Sequence, residues 1–290
     1  MNITRRTLLL AAAAVPLSPS FALAATGFDA IEYDLDGRLG VAVIDTATGK
    51  VAGNRLDERF PMCSTFKAIL AAQALARDAR EPGFIGRRLR YAKTDLVSHS
   101  PVTGRHVAGG MTVAELCAAT VQHSDNTAAN VLMDELGGPA ALTAFARTIG
   151  DTAFRLDRRE TALNSAIPGD ERDTTTPLAM ARTLQKLVIG DALPAPQRLQ
   201  LKDWLVGNTT GDNRIRAAVR EGLQAGWQVG DKTGTGAYGV TNDIGVVFPP
   251  DRAPLVVVVF THQRAKDADS RDDIVAAAAR AALAAVRAAG

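Results

Sequence analysis

Three short polar segments of this sequence carry the side chains best suited to chemistry. The first, Ser64-Thr65-Phe66-Lys67, places a hydroxyl and an amine three residues apart, and on a helix this spacing puts both on one face. A helix N-terminus favours developing negative charge on the hydroxyl, and a neighbouring amine can help to move its proton. Alone, the segment is a weak indication of a nucleophile, because the same spacing is typical of a capping serine beside a solvated lysine.

The other two segments are also ambiguous when each is taken alone. Ser124-Asp125-Asn126 could simply cap a helix that begins at Asn126, and Lys232-Thr233-Gly234 could be a piece of strand whose glycine admits a neighbouring backbone. The order of the three segments is more specific. Their separations, about sixty residues and then about a hundred more, are typical of serine acyl-transferases that act on penicillins.

The composition is that of an ordinary globular protein. The chain has 290 residues, of which 47% are hydrophobic and 22% charged, so two domains or one large one are expected and a disordered or fibrous chain is excluded. Its 33 basic and 31 acidic residues leave no surplus of positive charge for nucleic acid. Two cysteines and four histidines argue against a metal cluster, and we expect no metal and no cofactor.

The N-terminus is typical of an exported protein. Arg5 and Arg6 precede an apolar run over 8–15, and Ala22-Leu23-Ala24 supplies small residues for a signal peptidase. The arginine pair resembles a twin-arginine signal, and a general secretory leader is the alternative. Because the apolar run is much shorter than the roughly 20 residues that span a bilayer, we expect a leader over 1–24 that is cleaved, and a periplasmic monomer without a stable membrane association.

Local patterns predict sheet segments at both ends of the chain and helices between them. Strands are predicted in a hairpin over 39–51 and in three later segments, 227–234, 243–248 and 255–260. Helices are predicted over 66–79, 126–136, 139–149 and 272–289, and Thr112 with Glu115 forms a capping-box pattern. The polar stretch 150–177 is expected to be a long ordered surface loop, and such loops are usually functional.

These elements predict an α/β fold of the α+β type, in which an antiparallel sheet is flanked by helices. The sheet domain would comprise residues 25–60 and 207–290. An all-helical domain over 61–206 would be inserted between the two parts.

Over essentially the whole mature chain, the sequence resembles the class A serine β-lactamases. Besides the three segments, Glu160-Thr161-Ala162-Leu163-Asn164 is similar to the motif of the family's Ω-loop, and the segment 123–130 continues the match. The segments 207–211 and 213–217 are similar to the branch that includes carbapenem-hydrolysing enzymes. The resemblance implies a serine β-lactamase/DD-peptidase-like fold, a small β-lactam as substrate, and hydrolysis of its ring.

The resemblance also implies roles for individual residues. Ser64 would be the acylated nucleophile, deprotonated by Lys67 or by Glu160 through a water, and Ser124 would pass a proton to the departing nitrogen. Asn164 and Glu160 would hold the hydrolytic water, and the backbone N–H groups of Ser64 and Thr235 would form the oxyanion hole. The residues expected to contact substrate are Asn126, Lys232, Thr233, Gly234, Thr235, Arg214 and His99.

Some positions depart from the family pattern. His99 stands where the family usually has an aromatic residue, and it is either a weaker, pH-sensitive contact or an exposed histidine at the rim. The partner position of Cys63 in carbapenem-hydrolysing relatives is occupied by Gly236, and that of Cys117 in other members by Ala71. We therefore expect two free, buried thiols, which weakens the expectation of carbapenem hydrolysis.

Two other functions share parts of this pattern. A penicillin-binding DD-peptidase has the Ser-x-x-Lys and Lys-Thr-Gly elements, but Glu160 and Asn164 argue against it. An inactive domain that binds cell-wall fragments is the second alternative, and the filled catalytic positions argue against that one. Turnover of a chromogenic cephalosporin, as opposed to a single burst, would distinguish the lactamase from both.

Overall fold

The computed structural model of the protein describes residues 19–222 and 226–287. Within these two stretches the chain forms helices that we number in chain order: α1 (Pro19–Leu35), α2 (Phe66–Arg80), α3 (Val113–Gln122), α4 (Asn126–Glu135), α5 (Gly138–Thr148), α6 (Pro177–Val188), α7 (Ala195–Val206), α8 (Ile215–Gly222) and α9 (Asp272–Arg287). The strands are β1 (Gly37–Asp45), β2 (Val51–Asn54), β3 (Phe60–Pro61), β4 (Arg88–Leu89), β5 (Met111–Thr112), β6 (Thr174–Thr175), β7 (Gln228–Gly236), β8 (Val240–Phe248) and β9 (Leu255–Gln263).

The main sheet is antiparallel and joins the two ends of the chain. Its strand order is β2-β1-β9-β8-β7, so the N-terminal hairpin pairs with the last strand, from Gly37 opposite Gln263 to Asp45 opposite Leu255. This arrangement confirms the predicted fold class. Several strands extend beyond the predicted segments: β1 begins at Gly37, β7 ends at Gly236, β8 begins at Val240 and β9 ends at Gln263. The ladders of β7, β8 and β9 continue into polar residues next to the site described below.

Helices cover both faces of the sheet. Side chains of a strand alternate between faces, and here Val257 and Val259 belong to one hydrophobic cluster while Val256 and Val258 belong to another. The first cluster includes residues of α1, α8 and α9, and the second extends into α2 and α6. The continuous valine run of β9 is therefore buried on both sides, and the sheet separates the two hydrophobic cores.

The central part of the chain is mostly helical but not entirely so. The predicted capping box begins α3, where Thr112 Oγ1 accepts from the Glu115 N–H and Glu115 accepts from the Thr112 N–H. Gly137 and Gly138 have φ angles of 96° and 83° and separate α4 from α5, since left-handed φ values favour glycine. The expectation of an all-helical segment is wrong in one respect: β3 pairs with β6 and β4 pairs with β5. Two-residue ladders are too short to leave an alternating pattern in the sequence.

The stretch 150–177 is ordered, as predicted, but it is not purely a surface loop. It contains a 3-10 turn over Ala162–Ser165, and Glu160, Leu163 and Asp173 are buried. The polar composition of this stretch gave no sign that these side chains face inward. Two of the three are carboxylates, which pair with other groups inside the protein.

Helices α1 and α8 were not predicted, and α6 and α7 were expected only as part of the helical segment 61–206. Helix α1 overlaps the leader pattern, and α8 has only 8 residues, among them charged ones. Residues 1–18 of the predicted leader, like the last positions of the predicted C-terminal helix, lie outside the described residues. In the part of the chain that is described, no helix combines the length and apolarity needed to cross a bilayer.

Candidate active site

Ser64 lies in a short 3-10 turn, Cys63–Thr65, between β3 and α2. The residue before it, Cys63, has a φ angle of 45°, a left-handed conformation that non-glycine residues adopt mainly where the surrounding structure imposes it. The Ser64 side chain is almost completely buried, and its hydroxyl donates a hydrogen bond to Glu160 Oε1 over 3.0 Å. A buried carboxylate thus directly contacts the predicted nucleophile.

Lys67 lies one turn further along, on α2, with its ammonium group buried. Its Nζ is 2.9 Å from Glu160 Oε1 and donates to Asn126 Oδ1 and to the backbone and side-chain oxygens of Ser124. These bonds take the place of the expected contact between Lys67 and Ser64. Burial lowers the pKa of Lys67 and the Glu160 carboxylate partly opposes this, so a neutral amine is more accessible here than in water.

Ser124 joins two lysines. Its Oγ lies 3.4 Å from Lys67 Nζ and 3.1 Å from Lys232 Nζ, and Lys232 also donates to the Thr233 carbonyl. The pKa of Lys232 is held well below its usual value by burial and by the neighbouring charge of Lys67. The Ser124 hydroxyl is therefore placed to exchange a proton with either amine.

Glu160 is held from several sides. Its backbone N–H donates to Asn130 Oδ1 and its carbonyl accepts from Asn130 Nδ2, at 3.0 and 2.9 Å. Its second carboxylate oxygen accepts from Asn164 Nδ2 over 2.6 Å. The other side-chain atom of that amide, Asn164 Oδ1, is buried and has no partner among the protein atoms, so it can accept a hydrogen bond from a small donor beside the carboxylate.

Several side chains with hydrogen-bond donors lie on or beside strand β7, near Ser64. Arg214 Nη2 donates to Thr235 Oγ1 over 3.1 Å, and its Nε is held by Asp272 over 2.7 Å. The hydroxyls of Thr210 and Thr233 are 2.6 Å apart. Arg214 Nη1 also donates to the carbonyls of Gly234 and Asn242. The fixed positive charge of Arg214 beside the Thr235 hydroxyl is suited to attracting a carboxylate.

Strand β7 approaches the nucleophile closely at Gly234. A Cβ added there would lie 2.7 Å from the Met62 carbonyl oxygen and 3.2 Å from the backbone nitrogen of Ser64. Only glycine permits this approach, which brings the backbone at Thr235 alongside the turn that carries Ser64.

The site opens into a cavity of about 320 Å³. Lys67, Glu160 and Lys232 lie buried behind it. All twelve predicted site residues are thus brought together, either in the wall of the cavity or directly behind it. The cavity is lined by Ser64, His99, Ser124, Asn126, Asn164, Thr210, Arg214, Thr233, Gly234 and Thr235.

His99 and Asp125 also shape the rim. His99 is exposed, with a φ angle of 60° and a 3.0 Å hydrogen bond between its Nε2 and the His123 carbonyl. Asp125 caps α4 through the Ala128 N–H and also accepts from the backbone of Val102 and Thr103. It braces the segment that follows His99 as well as its own turn.

Several contributing residues were not singled out from the sequence. Asn130 and Thr210 lay in segments that matched the family, but neither had been given a role. Asp231 is buried beside Lys232, and its carboxylate is held by Asn208 over 2.8 Å and by Arg216 over 2.6 Å. The similarity of the segments 207–211 and 213–217 to relatives was the one signal that could have identified this group.

One expectation that was based on the resemblance, two free and buried thiols, agrees with the structure, and the structure adds an ion pair at the Ω-loop. Cys63 and Cys117 are free and buried, and a Cβ at Gly236 would lie 2.6 Å from Cys63 Sγ. Arg158 and Asp173 form an ion pair with Nε and Oδ2 2.5 Å apart, closing the neck of the Ω-loop, by which we mean residues 158–173.

The fold and the site together define a serine acyl-transferase with a buried carboxylate beside the nucleophile. The chain belongs to the β-lactamase enzyme family, whose profile matches residues 24–286. It is 53% identical over 289 residues to the carbapenem-hydrolysing β-lactamase KPC of Klebsiella oxytoca, covering 98% of this chain and 97% of that protein. It is also 53% identical to the β-lactamase CTX-M-97 of Escherichia coli, over 87% of this chain and 85% of that one.

Solved structures agree with this assignment. A β-lactamase from Desulfarculus baarsii superposes with a TM-score of 0.88 and 57% identity, covering 93% of this chain and 98% of its own. An ancestral class A β-lactamase superposes with a TM-score of 0.86 and 58% identity, over 90% and 99% of the two chains. The resemblance to class A β-lactamases is thereby confirmed. The chain is therefore a hydrolase that acts on β-lactams.

Proposed function

We propose that this chain opens the β-lactam ring through an acyl-enzyme on Ser64 and releases it with a water activated by Glu160. The observation that carries the proposal is the position of the Glu160 carboxylate. One oxygen is 3.0 Å from Ser64 Oγ and 2.9 Å from Lys67 Nζ, and the other is held by Asn164. A single base can therefore serve both halves of the reaction.

In acylation, Ser64 Oγ attacks the lactam carbonyl carbon while its proton passes to Glu160 or to Lys67. The backbone N–H groups of Ser64 and Thr235 stabilise the oxyanion. When the C–N bond breaks, the nitrogen takes the proton of the Ser124 hydroxyl, which is replaced from Lys67 or Lys232. The Ser64 hydroxyl contacts Glu160 directly. Lys67 contacts Glu160 and Ser124, so a proton from Ser64 reaches Lys67 through Glu160.

Substrate binding uses the donors along β7. The substrate carboxylate binds to Lys232, Thr233, Thr235 and Arg214. Gly234 has no side chain, so the lactam ring can approach the backbone there. Asn126 contacts the acylamide side chain, and His99 closes the rim. The donors of Arg214 are largely used by protein acceptors, so Arg214 contributes mainly its positive charge and holds the Thr235 hydroxyl in place.

In deacylation, Glu160 removes a proton from a water that Asn164 helps to hold. The hydroxide oxygen bonds to the acyl carbon, the C–Oγ bond breaks, and Ser64 Oγ takes back the proton that Glu160 removed from the water. No histidine lies in the three motif segments to act as the base. The carboxylate is therefore required for release of the product.

Mass spectrometry tests this assignment. After mixing with a penicillin, Glu160→Ala should keep a persistent adduct on Ser64, whereas Ser64→Ala should form none. Glu171→Ala, which removes an exposed glutamate from the same loop, is the matched control and should turn over like the wild type. If Glu160→Ala hydrolysed penicillin at the wild-type rate without an adduct, Glu160 would not be the deacylation base.

The range of β-lactams that the enzyme hydrolyses depends on the detailed shape of the cavity. The KPC relative is named for carbapenem hydrolysis, whereas Cys63 is free in this chain. We propose hydrolysis of β-lactams as the activity, and we do not extend the relative's carbapenem hydrolysis to this chain. Steady-state rates on a penicillin, a cephalosporin, a monobactam and a carbapenem would establish the preference.

We also propose that the chain is exported, cleaved near Ala24 and monomeric in the periplasm, on the basis of the leader pattern. Its two structural units would be residues 25–60 with 207–290, and residues 61–206. N-terminal sequencing of exported protein should begin near Ala25, and retention of Met1 would contradict the cleavage.

A further inference from the structure

A buried histidine connects the sheet to the far end of the Ω-loop. His262, on β9, is 6% exposed, and its Nε2 is 2.9 Å from the Ala166 carbonyl oxygen. A carbonyl can only accept, so Nε2 carries the proton and donates. The two residues are 96 positions apart in sequence.

The surroundings of His262 keep its ring neutral and in place. Its ring packs edge-on against the Tyr238 ring, with centroids 5.7 Å apart. Its cross-strand neighbour on β1 is Arg38. Burial lowers the pKa of His262, the charge of Arg38 acts in the same direction, and the hydrogen bond to Ala166 opposes both.

The loop depends on this hydrogen bond because it is poorly packed beyond Ala166. Ala166 is buried and has a φ angle of 45°, while the next residue, Ile167, is 48% exposed. A cavity of about 360 Å³, whose lining includes Arg38, Ile167, Gly169 and His262, separates this part of the loop from the sheet. Without the histidine donor, the buried Ala166 carbonyl would lose its partner, and the nearest remaining hydrogen bonds would be those of Ser165 with Arg158, over 2.8 Å, and of the Ile167 carbonyl with the Asp170 N–H, over 3.0 Å.

The effect should reach the reaction through Asn164. This residue lies two positions before Ala166, and its carbonyl accepts from the Ala237 N–H over 3.0 Å. The Glu160 backbone is anchored separately by two hydrogen bonds to Asn130, and its carboxylate keeps Ser64 and Lys67 as partners when Asn164 moves. Loss of the donor would therefore move the amide of Asn164 and leave the base in place.

We propose that His262 is a positioning residue for deacylation, acting through Ala166 to hold Asn164 beside Glu160. This inference rests on the proposed function. Since Ser64 and the residues that acylate it are anchored elsewhere, acylation should be unaffected and hydrolysis of the ester should be slower.

The test compares His262→Leu, which lacks a donor, with His262→Gln, whose side-chain amide can reach the position of Nε2. The decay of the Ser64 adduct after a penicillin pulse is followed by rapid quenching and mass spectrometry. His262→Leu should decay about three- to tenfold more slowly, the size of one lost hydrogen bond, and His262→Gln should be close to the wild type. His106→Leu, at an exposed histidine, is the control and should match the wild type.

Steady-state kinetics give an independent readout. When only deacylation slows and becomes limiting, kcat and KM fall by the same factor and kcat/KM is unchanged. We expect this pattern for His262→Leu. If that variant does not fold, His262→Asn replaces it, since its amide is too short to reach Ala166.

The outcomes separate the two proposals. If the wild type forms and releases a Ser64 adduct and the adduct of His262→Leu decays at the same rate, only the positioning role is overturned. Equally slow decay of the adduct in His262→Leu and His262→Gln also overturns the positioning role, because the packing of the imidazole ring, and not its hydrogen bond, would then determine the rate. A wild type that neither forms nor releases the adduct overturns the proposed function and the positioning role with it.

Discussion

The ammonium nitrogen of Lys67 lies 2.9 Å from the carboxylate of Glu160, and both side chains are completely buried. Removing two charges from water is costly, and their attraction offsets this only when the remaining donors and acceptors are also satisfied. Here Lys67 gains Asn126 and Ser124 as further acceptors, and Glu160 gains Ser64 as a donor. The catalytic groups are therefore interdependent in stability as well as in chemistry.

Breaking this pair from one side should destabilise the protein. Lys67→Met leaves the Glu160 carboxylate buried without its cation, and we expect the free energy of unfolding to fall by about 3 kcal/mol. Lys67→Met combined with Glu160→Gln should recover part of this loss, because no uncompensated charge remains. Urea unfolding of the wild type, both single variants and the double variant measures the coupling, and additive losses would contradict it.

The activity should decline on the alkaline side because Lys232 loses its charge. Its pKa is lowered well below 10.5 by burial and by Lys67, so the ammonium is present at lower pH and is lost as pH rises through the lowered pKa. We expect kcat/KM to fall there, since this parameter follows the ionisation of the free enzyme. Lys232→Arg keeps its charge and should move the fall to higher pH. Lys93→Arg, at an exposed lysine, should not.

The neck of the Ω-loop should show strong coupling between Arg158 and Asp173. Asp173 is 1% exposed, and it also accepts from the backbone N–H groups of Asp157 and Arg158. A double-mutant cycle should give about 1 to 3 kcal/mol for the pair, with Asp173→Ala costing more than Arg158→Ala because two backbone donors lose their acceptor. The more exposed pair of Arg172 and Asp170 is the control and should give less than about 1 kcal/mol.

Both thiols should be unreactive in the native protein and reactive after unfolding. Burial raises the pKa of Cys63 and of Cys117, so neither is accessible or ionised near neutral pH. Titration with a thiol reagent in denaturant, without a reductant, should count two free thiols. A count of none would mean that a disulfide forms.

Much of the fold was predictable because its signals are local. The alanine- and leucine-rich run after Ser64 predicts α2, the valine run predicts β9, and paired glycines mark the break at 137–138. The short ladders β3-β6 and β4-β5 were not predictable, since two residues cannot show a period. Helix α8 was not predicted because its 8 residues are too few to show a clear helical period.

The chemistry of the site was likewise determined by the sequence to a large degree. The types and spacing of Ser64, Lys67, Ser124 and Lys232 specify a nucleophile and the amines that serve it, and the resemblance supplied Glu160. The sequence therefore determined most of the reacting groups and the general order of the fold, with strands at both ends and helices between them.

Only the tertiary structure decided which of these groups touch. The sequence predicts that Lys67 shares a helix face with Ser64, yet Ser64 lies in the turn before α2 and the polar contacts of Lys67 are with residues of two other segments. The donor for the Ala166 carbonyl is His262, 96 residues away. Helical and strand periods report which face a side chain occupies. They carry no information on what packs against that face, because the partner's distance and direction depend on how whole elements meet across the sheet.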